Sequence, residues 1–394
     1  MLYKKKKSMK LCKFISVILF ITLNISAVYG EKGTVPDRYW NDVARFLGGH
    51  PPLPESSISK FDSMPDAETH RKFFSKTWPN VESNNLKPQR DWAEKQLSAE
   101  RASNRTVFYP FSGPDFMNIF TFFPNGKEYI LFGMEPPGLP PDPAMVSPGQ
   151  LPAAMANLRN SLATILNYSF FRTIDMAKDL KKIELRGTGP IIIAFMTRTG
   201  NTVRNVESIA LEKQGTIRLI KDPYQVKNGM PTVKDLRILS TEIPGIKITF
   251  RRPGSSDDQY VYYFSLDISN TGLNSKGQLL TFVKSRGASS TYLKAASYLM
   301  YRDTFSMIRN FILDQSAFIM QDDSGMPLIS FDQKKWDLTF YGNYTRPIRL
   351  FDSRYQPDLR AVYTNKNNRI GDLPFGIGYN WKKGQSNLMT ARKK

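Results

Sequence analysis

Ile246-Lys247-Ile248-Thr249-Phe250-Arg251 alternates apolar and polar side chains. Pro253–Asp258 supplies turn residues, and Tyr260-Val261-Tyr262-Tyr263-Phe264 brings the chain back. Period-two alternation on both sides of such a turn predicts an antiparallel hairpin with one face buried. Leu211–Ile217 reads as another strand reversal, pivoting at Gly215, and a further hairpin is expected around Asp322-Asp323-Ser324-Gly325. Upstream, Phe108-Tyr109-Pro110-Phe111 and Tyr129-Ile130-Leu131-Phe132 are short apolar runs of the kind that form buried strands, with a short helix between them over Asp115–Phe123.

Helical spacing marks two longer elements. Met155, Leu158, Leu162, Ile165 and Leu166 recur on one face of Leu151–Leu180, which Pro152 opens. A second helix is expected over Ser290–Leu313, whereas Ile191–Met196 is apolar throughout and its type stays open. Before residue 105 the chain reads as helical. Trp40, Val43, Ala44 and Leu47 share a face that ends at Gly48-Gly49, and Ala67–Thr77 and Arg90–Ala102 follow. The proline-rich residues 136–150 predict a long extended loop on the surface. Helices and strands come in blocks without a βαβ rhythm, so the expected class is α+β. It has a helical N-terminal region, residues 31–105, and then a mixed domain, residues 106–394, with antiparallel hairpins and two long helices.

Residues 1–30 have the layout of a secretory leader. Six lysines and no acid precede the apolar run Phe14–Leu23, and Val28-Tyr29-Gly30 offers a cleavage site after Gly30. That run is shorter than the ~20 residues a spanning helix needs, which argues against a retained anchor. The expected location is therefore the periplasm or the medium, and no later segment reads as a membrane span. The only cysteine, Cys12, leaves with the leader, so the mature chain has no disulfide, thiolate nucleophile or cysteine metal site. The whole chain holds 55 Lys+Arg against 35 Asp+Glu, and loss of the six leader lysines leaves a surplus of +14. Such a surplus favours anionic partners, an envelope component or a small anionic ligand. The basic residues are dispersed, which speaks against nucleic acid.

Catalytic signatures are scarce. Zinc-hydrolase, nucleophile-elbow, P-loop and dinucleotide patterns are all absent, and the mature chain has two histidines, His50 and His70. Ser112, in Phe111-Ser112-Gly113-Pro114, reads as a turn residue before a nucleophile. The carboxylates Asp115 and Glu135, at the ends of apolar runs, and the pair Asp322-Asp323 are candidates for acid–base work on a glycan. Asp-Asp-Ser-Gly also has the composition of a tight turn. Lys284, Arg286, Gly287, Ser289 and Ser290 stand before the expected Ser290–Leu313 helix, where a helix N-terminus would favour an anion. The alternating Tyr260, Tyr262 and Phe264 form either a stacking platform or ordinary sheet packing. No metal ligands and no cofactor are indicated.

The stretches Tyr109-Pro110-Phe111-Ser112-Gly113-Pro114-Asp115-Phe116, Ser297-Tyr298-Leu299-Met300 and Gln321-Asp322-Asp323-Ser324-Gly325-Met326-Pro327 resemble a family of exported bacterial proteins without an established activity. The resemblance implies one architecture over most of the mature chain and an envelope location, and it assigns no catalytic residue. The expected function is binding of an anionic partner by a basic surface. The alternative is an acid–base hydrolase of envelope glycan.

Overall fold

The computed structural model describes residues 38–168, 185, 187–227, 230–233, 238–296 and 298–394. The expected leader, and the part of the expected Leu151–Leu180 helix that follows Tyr168, lie outside the described residues. The strands are β1 (Val107–Tyr109), β2 (Glu128–Gly133), β3 (Thr202–Leu211), β4 (Ile217–Ile220), β5 (Tyr224–Lys227), β6 (Met230–Val233), β7 (Ile243–Arg251), β8 (Gln259–Ser265), β9 (Ser289–Leu293), β10 (Ser316–Gln321), β11 (Trp336–Gly342), β12 (Arg369–Ile370) and β13 (Asn387–Lys393). The principal helices are α1 (Tyr39–Leu47), α2 (Pro65–Val81), α3 (Lys87–Gln96), α4 (Phe116–Phe122), α5 (Leu151–Tyr168), α6 (Gly189–Arg198), α7 (Gln278–Lys284), α8 (Ser306–Gln315) and α9 (Pro357–Thr364).

Eleven strands form one sheet in the order β12-β11-β13-β10-β9-β1-β2-β8-β7-β3-β4, and β5 and β6 pair separately. The class is α+β, and the expected hairpin is present as β7 and β8, antiparallel with Ile248 opposite Val261. The reversal at Gly215 joins β3 to β4. The centre of the sheet is different in kind: β10, β9, β1, β2 and β8 run parallel. Read in chain order across the sheet, these five lie as third, second, first, fourth, fifth, the order of a doubly wound sheet. β1 and β2 are apolar on both faces because both faces are covered. Val107, Tyr109, Tyr129 and Leu131 enter one core with α1 to α6. Phe108, Ile130 and Phe132 enter the other with α7, α8 and α9.

Three expectations are corrected, and one left open is resolved. Ser290–Leu313 is not one helix: Ser289–Leu293 is strand β9, and the helix α8 begins at Ser306. β9 tolerates its hydroxyl-rich sequence because Thr291 shares hydrogen bonds with Ser289, at 3.2 Å, and with Ser316 on β10, at 2.7 Å. The turn at Asp322–Gly325 does not close a hairpin, since β13 lies between β10 and β11 and pairs antiparallel with both. Ile191–Met196 resolves as helix α6, begun by Gly189-Pro190 and buried on every side. The proline-rich segment is extended but largely buried. The amides of Thr188 and Gly189 donate to the carbonyls of Pro136 and Pro137, and Tyr39 donates to the Asp142 carboxylate.

Candidate functional site

In a doubly wound sheet the chain order reverses beside the first strand, here between β1 and β9. The loops leaving the carboxyl ends of the strands separate there and leave a crevice. A cavity of about 170 Å³ occupies this edge. Phe111 and Gly113 reach it from the loop after β1, Met134 and Glu135 from that after β2, Leu266, Asp267 and Ile268 from that after β8, and Ala295 and Ala296 from that after β9. A more open depression of about 310 Å³ continues from Met134, Leu266 and Asp267 toward Ser275 and Lys276.

The backbone is strained where it forms this edge. Among the described residues, five other than glycine have positive φ, and Phe111 (60°), Ala295 (50°) and Tyr298 (55°) are three of them. Each is a side-chain-bearing residue in a conformation that costs roughly 1–3 kcal/mol, and such strain concentrates at functional sites.

Glu135, buried, opens onto the cavity. Its carbonyl accepts from the Tyr263 hydroxyl at 3.0 Å, which fixes the residue just past β2. Asp267 is exposed just past β8; its carboxylate accepts from the Ser269 amide and hydroxyl, both at 2.8 Å. Asp115 is the N-cap of α4, accepting from the Asn118 amide at 3.3 Å and the Asn118 side chain at 2.8 Å. Its other oxygen accepts from the Tyr109 hydroxyl at 3.0 Å and meets the Lys294 ammonium at 2.5 Å. Lys294 follows β9 directly. Its side chain, 2% exposed, is paired with a carboxylate that is 5% exposed.

Asp322 and Asp323 follow β10. Asp322 accepts from the amides of Ala295, at 3.2 Å, and Ser324, at 3.0 Å, and from the Ser324 hydroxyl. Asp323 accepts from the Tyr298 hydroxyl and from the Asn387 side chain at 2.8 Å. Burial, and then the neighbouring charge of Asp323, push the Asp322 carboxyl up to about 7; burial raises that of Asp323 as well. The two line a cavity of about 10 Å³, separate from the large one.

All four carboxylates singled out from the sequence therefore stand at the carboxyl ends of parallel strands, but only Glu135 opens into the large cavity. The chemistry of Asp115, Asp322 and Asp323 is taken up by partners inside the protein. The residues singled out as an anion site are placed differently. Lys284 ends α7, at the negative end of a helix, and Ser289 and Ser290 are buried in β9, so the helix N-terminus that the reading needs is absent there. Arg286 pairs with Glu128 at 3.2 Å and lies over the Phe282 ring, and Gly287 accepts from Gln315 through its carbonyl. Tyr262 and Phe264 pack on Phe282, as sheet residues do. Ser112 donates to the Phe132 carbonyl at 3.2 Å.

Sequence reading missed Lys294 and Asp267. Lys294 lay inside the expected helix, and no local signal marks it unless β9 is recognised. Asp267, in Leu266-Asp267-Ile268, shares the signal that marked Asp115 and Glu135, an acid just past an apolar strand. Among the described residues no group of three or more His, Cys, Asp or Glu is placed to hold a metal, and no helix is long and apolar enough to cross a membrane. What fold and site together define is a doubly wound α+β protein with an acidic cavity at its switch point. No family model, no curated protein and no solved structure matches the chain.

Proposed function

We propose that the cavity binds a small ligand of the unphosphorylated nucleoside type. The single observation that carries this reading is the state of the α4 N-terminus. In doubly wound sheets, the N-terminus of the helix after the first strand is where a phosphate sits. Here the Asp115 carboxylate takes that place and is neutralised by Lys294. A phosphate would have to displace a buried carboxylate that already has its cation.

The lining agrees. Glu135 and Asp267 are acceptors past the second and third parallel strands, suited to vicinal hydroxyls and to an exocyclic amine. None of the described residues lining the cavity is Lys or Arg. Phe111, Leu266, Ile268, Leu299 and Phe305 give it apolar walls for a flat ring. With its open extension, where the Lys276 ammonium donates to the Glu242 carbonyl at 2.8 Å, the space falls within the roughly 300–1,000 Å³ of small-molecule sites. This charge pattern suits a neutral or cationic ligand and not the small anion expected from net charge. Three of the four candidate acids are held by several partners inside the protein and stand away from the cavity, and Glu135 accepts one long hydrogen bond from Tyr263 at 3.4 Å, so binding is favoured over acid–base hydrolysis. The leader-like residues 1–30 support action in the envelope, which N-terminal sequencing of exported protein tests.

Calorimetric titration with adenosine, S-adenosylmethionine and AMP is the test. We expect the two unphosphorylated ligands to bind, AMP to bind at least tenfold more weakly, and Glu135→Gln to weaken adenosine at least tenfold. AMP binding more tightly than adenosine, or an unaffected Glu135→Gln, would overturn the reading.

A further inference from the structure

A second surface lies beyond β10 and β13, outside the cavity. In the segment Arg349–Arg354, Phe351 packs against Tyr298 and Tyr379 with ring centroids 5.0 and 5.2 Å away. Its neighbour Leu350 is left 79% exposed. Trp381, two residues past Tyr379, is 43% exposed, and the Lys382 ammonium stands 5.9 Å from its ring. On the other flank the Leu328 amide donates to the Gln356 side chain at 2.9 Å. That bond ties the residue before Ile329, 87% exposed, to the residue after the exposed Tyr355. Arg349 and Arg354 bound the segment that carries Leu350, and Lys382 and Lys383 follow Trp381 in the chain. Among the described residues none of the four is within salt-bridge distance of a carboxylate, and Asp352, inside the same segment, pairs with Arg346 at 2.8 Å.

We propose that this surface docks on an anionic phospholipid membrane. Projecting aliphatic side chains gain by entering the boundary between headgroups and acyl chains, and Trp and Tyr favour that depth. The four cations meet lipid phosphates at the same level. A soluble polyanion would engage the cations and the rings but leaves Ile329 and Leu350 in water, so the aliphatic tips select the membrane. The docking is peripheral and independent of the ligand in the cavity.

Vesicle co-sedimentation tests this with the chain from Glu31 onward, which keeps every described residue and lacks the apolar run Phe14–Leu23. Phosphatidylcholine vesicles containing phosphatidylglycerol should pull the protein down, less so at high salt, and pure phosphatidylcholine should not. Arg349→Ala with Lys382→Ala should lower the partition about 25-fold, at roughly fivefold per cation. Ile329→Ser with Leu350→Ser should lower it at least tenfold with no change in Tm, since both side chains are exposed. No binding to the anionic vesicles, or binding undiminished by the serine pair, would overturn the proposal. So would sedimentation that soluble polyphosphate abolishes for wild type and serine pair alike.

Discussion

The Lys294 ammonium and the Asp115 carboxylate meet at 2.5 Å across the boundary between β9 and β1, both side chains almost closed to water. The pair joins the two loops that diverge at the switch point. Lys294→Met leaves a buried carboxylate without its cation, and breaking such a pair costs about 3–5 kcal/mol. Adding Asp115→Asn removes the stranded charge and keeps an N-cap residue on α4. The double variant should therefore be more stable than Lys294→Met alone, as read from urea unfolding midpoints. A single variant within about 1 kcal/mol of wild type would show that the pair contributes little.

Much of this architecture could be read from the sequence, and the physical reason differs from element to element. The β7–β8 hairpin was legible because Ile246, Ile248 and Phe250 face one core while Lys247, Thr249 and Arg251 alternate with them. The parallel centre was not. β2 and β8 are neighbours in the sheet, yet α5, α6, the β3–β4 hairpin and β7 intervene, which hides any βαβ rhythm. β9 was hidden differently: Ser289-Ser290-Thr291 reads as a helix cap, and only hydroxyl bonding within the sheet makes it a buried strand. For the same reason Asp115 and Glu135 could be found as acids ending apolar runs, while Lys294 could not.

Acid should weaken the helical face of the protein through His70. Its Nε2 lies 2.7 Å from the Leu47 carbonyl, and burial, the largest cause, lowers its pKa to about 4. The folded state thus binds the proton less readily than the unfolded chain, at about 6.5. The stability this gives is complete above pH 6.5 and is lost as pH falls toward 4, by roughly 3 kcal/mol for this residue. His50 shifts in the same direction, through burial and then Arg198 and Arg45. Tm measured from pH 7 down to 4 should fall, and His70→Gln should make that fall shallower. An identical profile for the variant would clear His70 of the effect.

The Asp322–Asp323 pair predicts the opposite sign at higher pH. A carboxyl whose pKa is raised on folding is favoured in its protonated form. Its contribution is complete below about 4, the unfolded value, and is lost as pH rises through about 7. Asp323→Asn removes one of the two charges and leaves groups able to bond Tyr298 and Asn387. Burial of Asp322 persists, so we expect this variant to decline less steeply than wild type between pH 6 and 8. A wild-type Tm flat over that range would mean that both carboxylates ionise without cost.

Two glycines separate binding from stability. A Cβ on Gly133 would stand 2.4 Å from the Glu135 Oε2, which accepts from the Tyr263 hydroxyl at 3.4 Å, and 3.0 Å from that hydroxyl. A Cβ on Gly378 would stand 1.8 Å from the Asp322 Oδ2, a carboxylate held by three hydrogen bonds, and φ there is +62°. Gly133→Ala can be relieved by turning Glu135 aside, at the loss of one long hydrogen bond from Tyr263, with a shift of a few tenths of an ångström in that hydroxyl. It should therefore cost under about 1 kcal/mol of stability, within the range of mild substitutions. It should nevertheless lower adenosine affinity about as far as Glu135→Gln does. Gly378→Ala has no such relief, because Asp322 cannot move without releasing Ala295 and Ser324. It should cost more than about 2 kcal/mol by strain and by broken buried hydrogen bonds. Chemical denaturation and calorimetric titration of the two variants together decide the matter. If Gly133→Ala keeps full adenosine affinity, the Glu135 carboxylate does not touch the ligand.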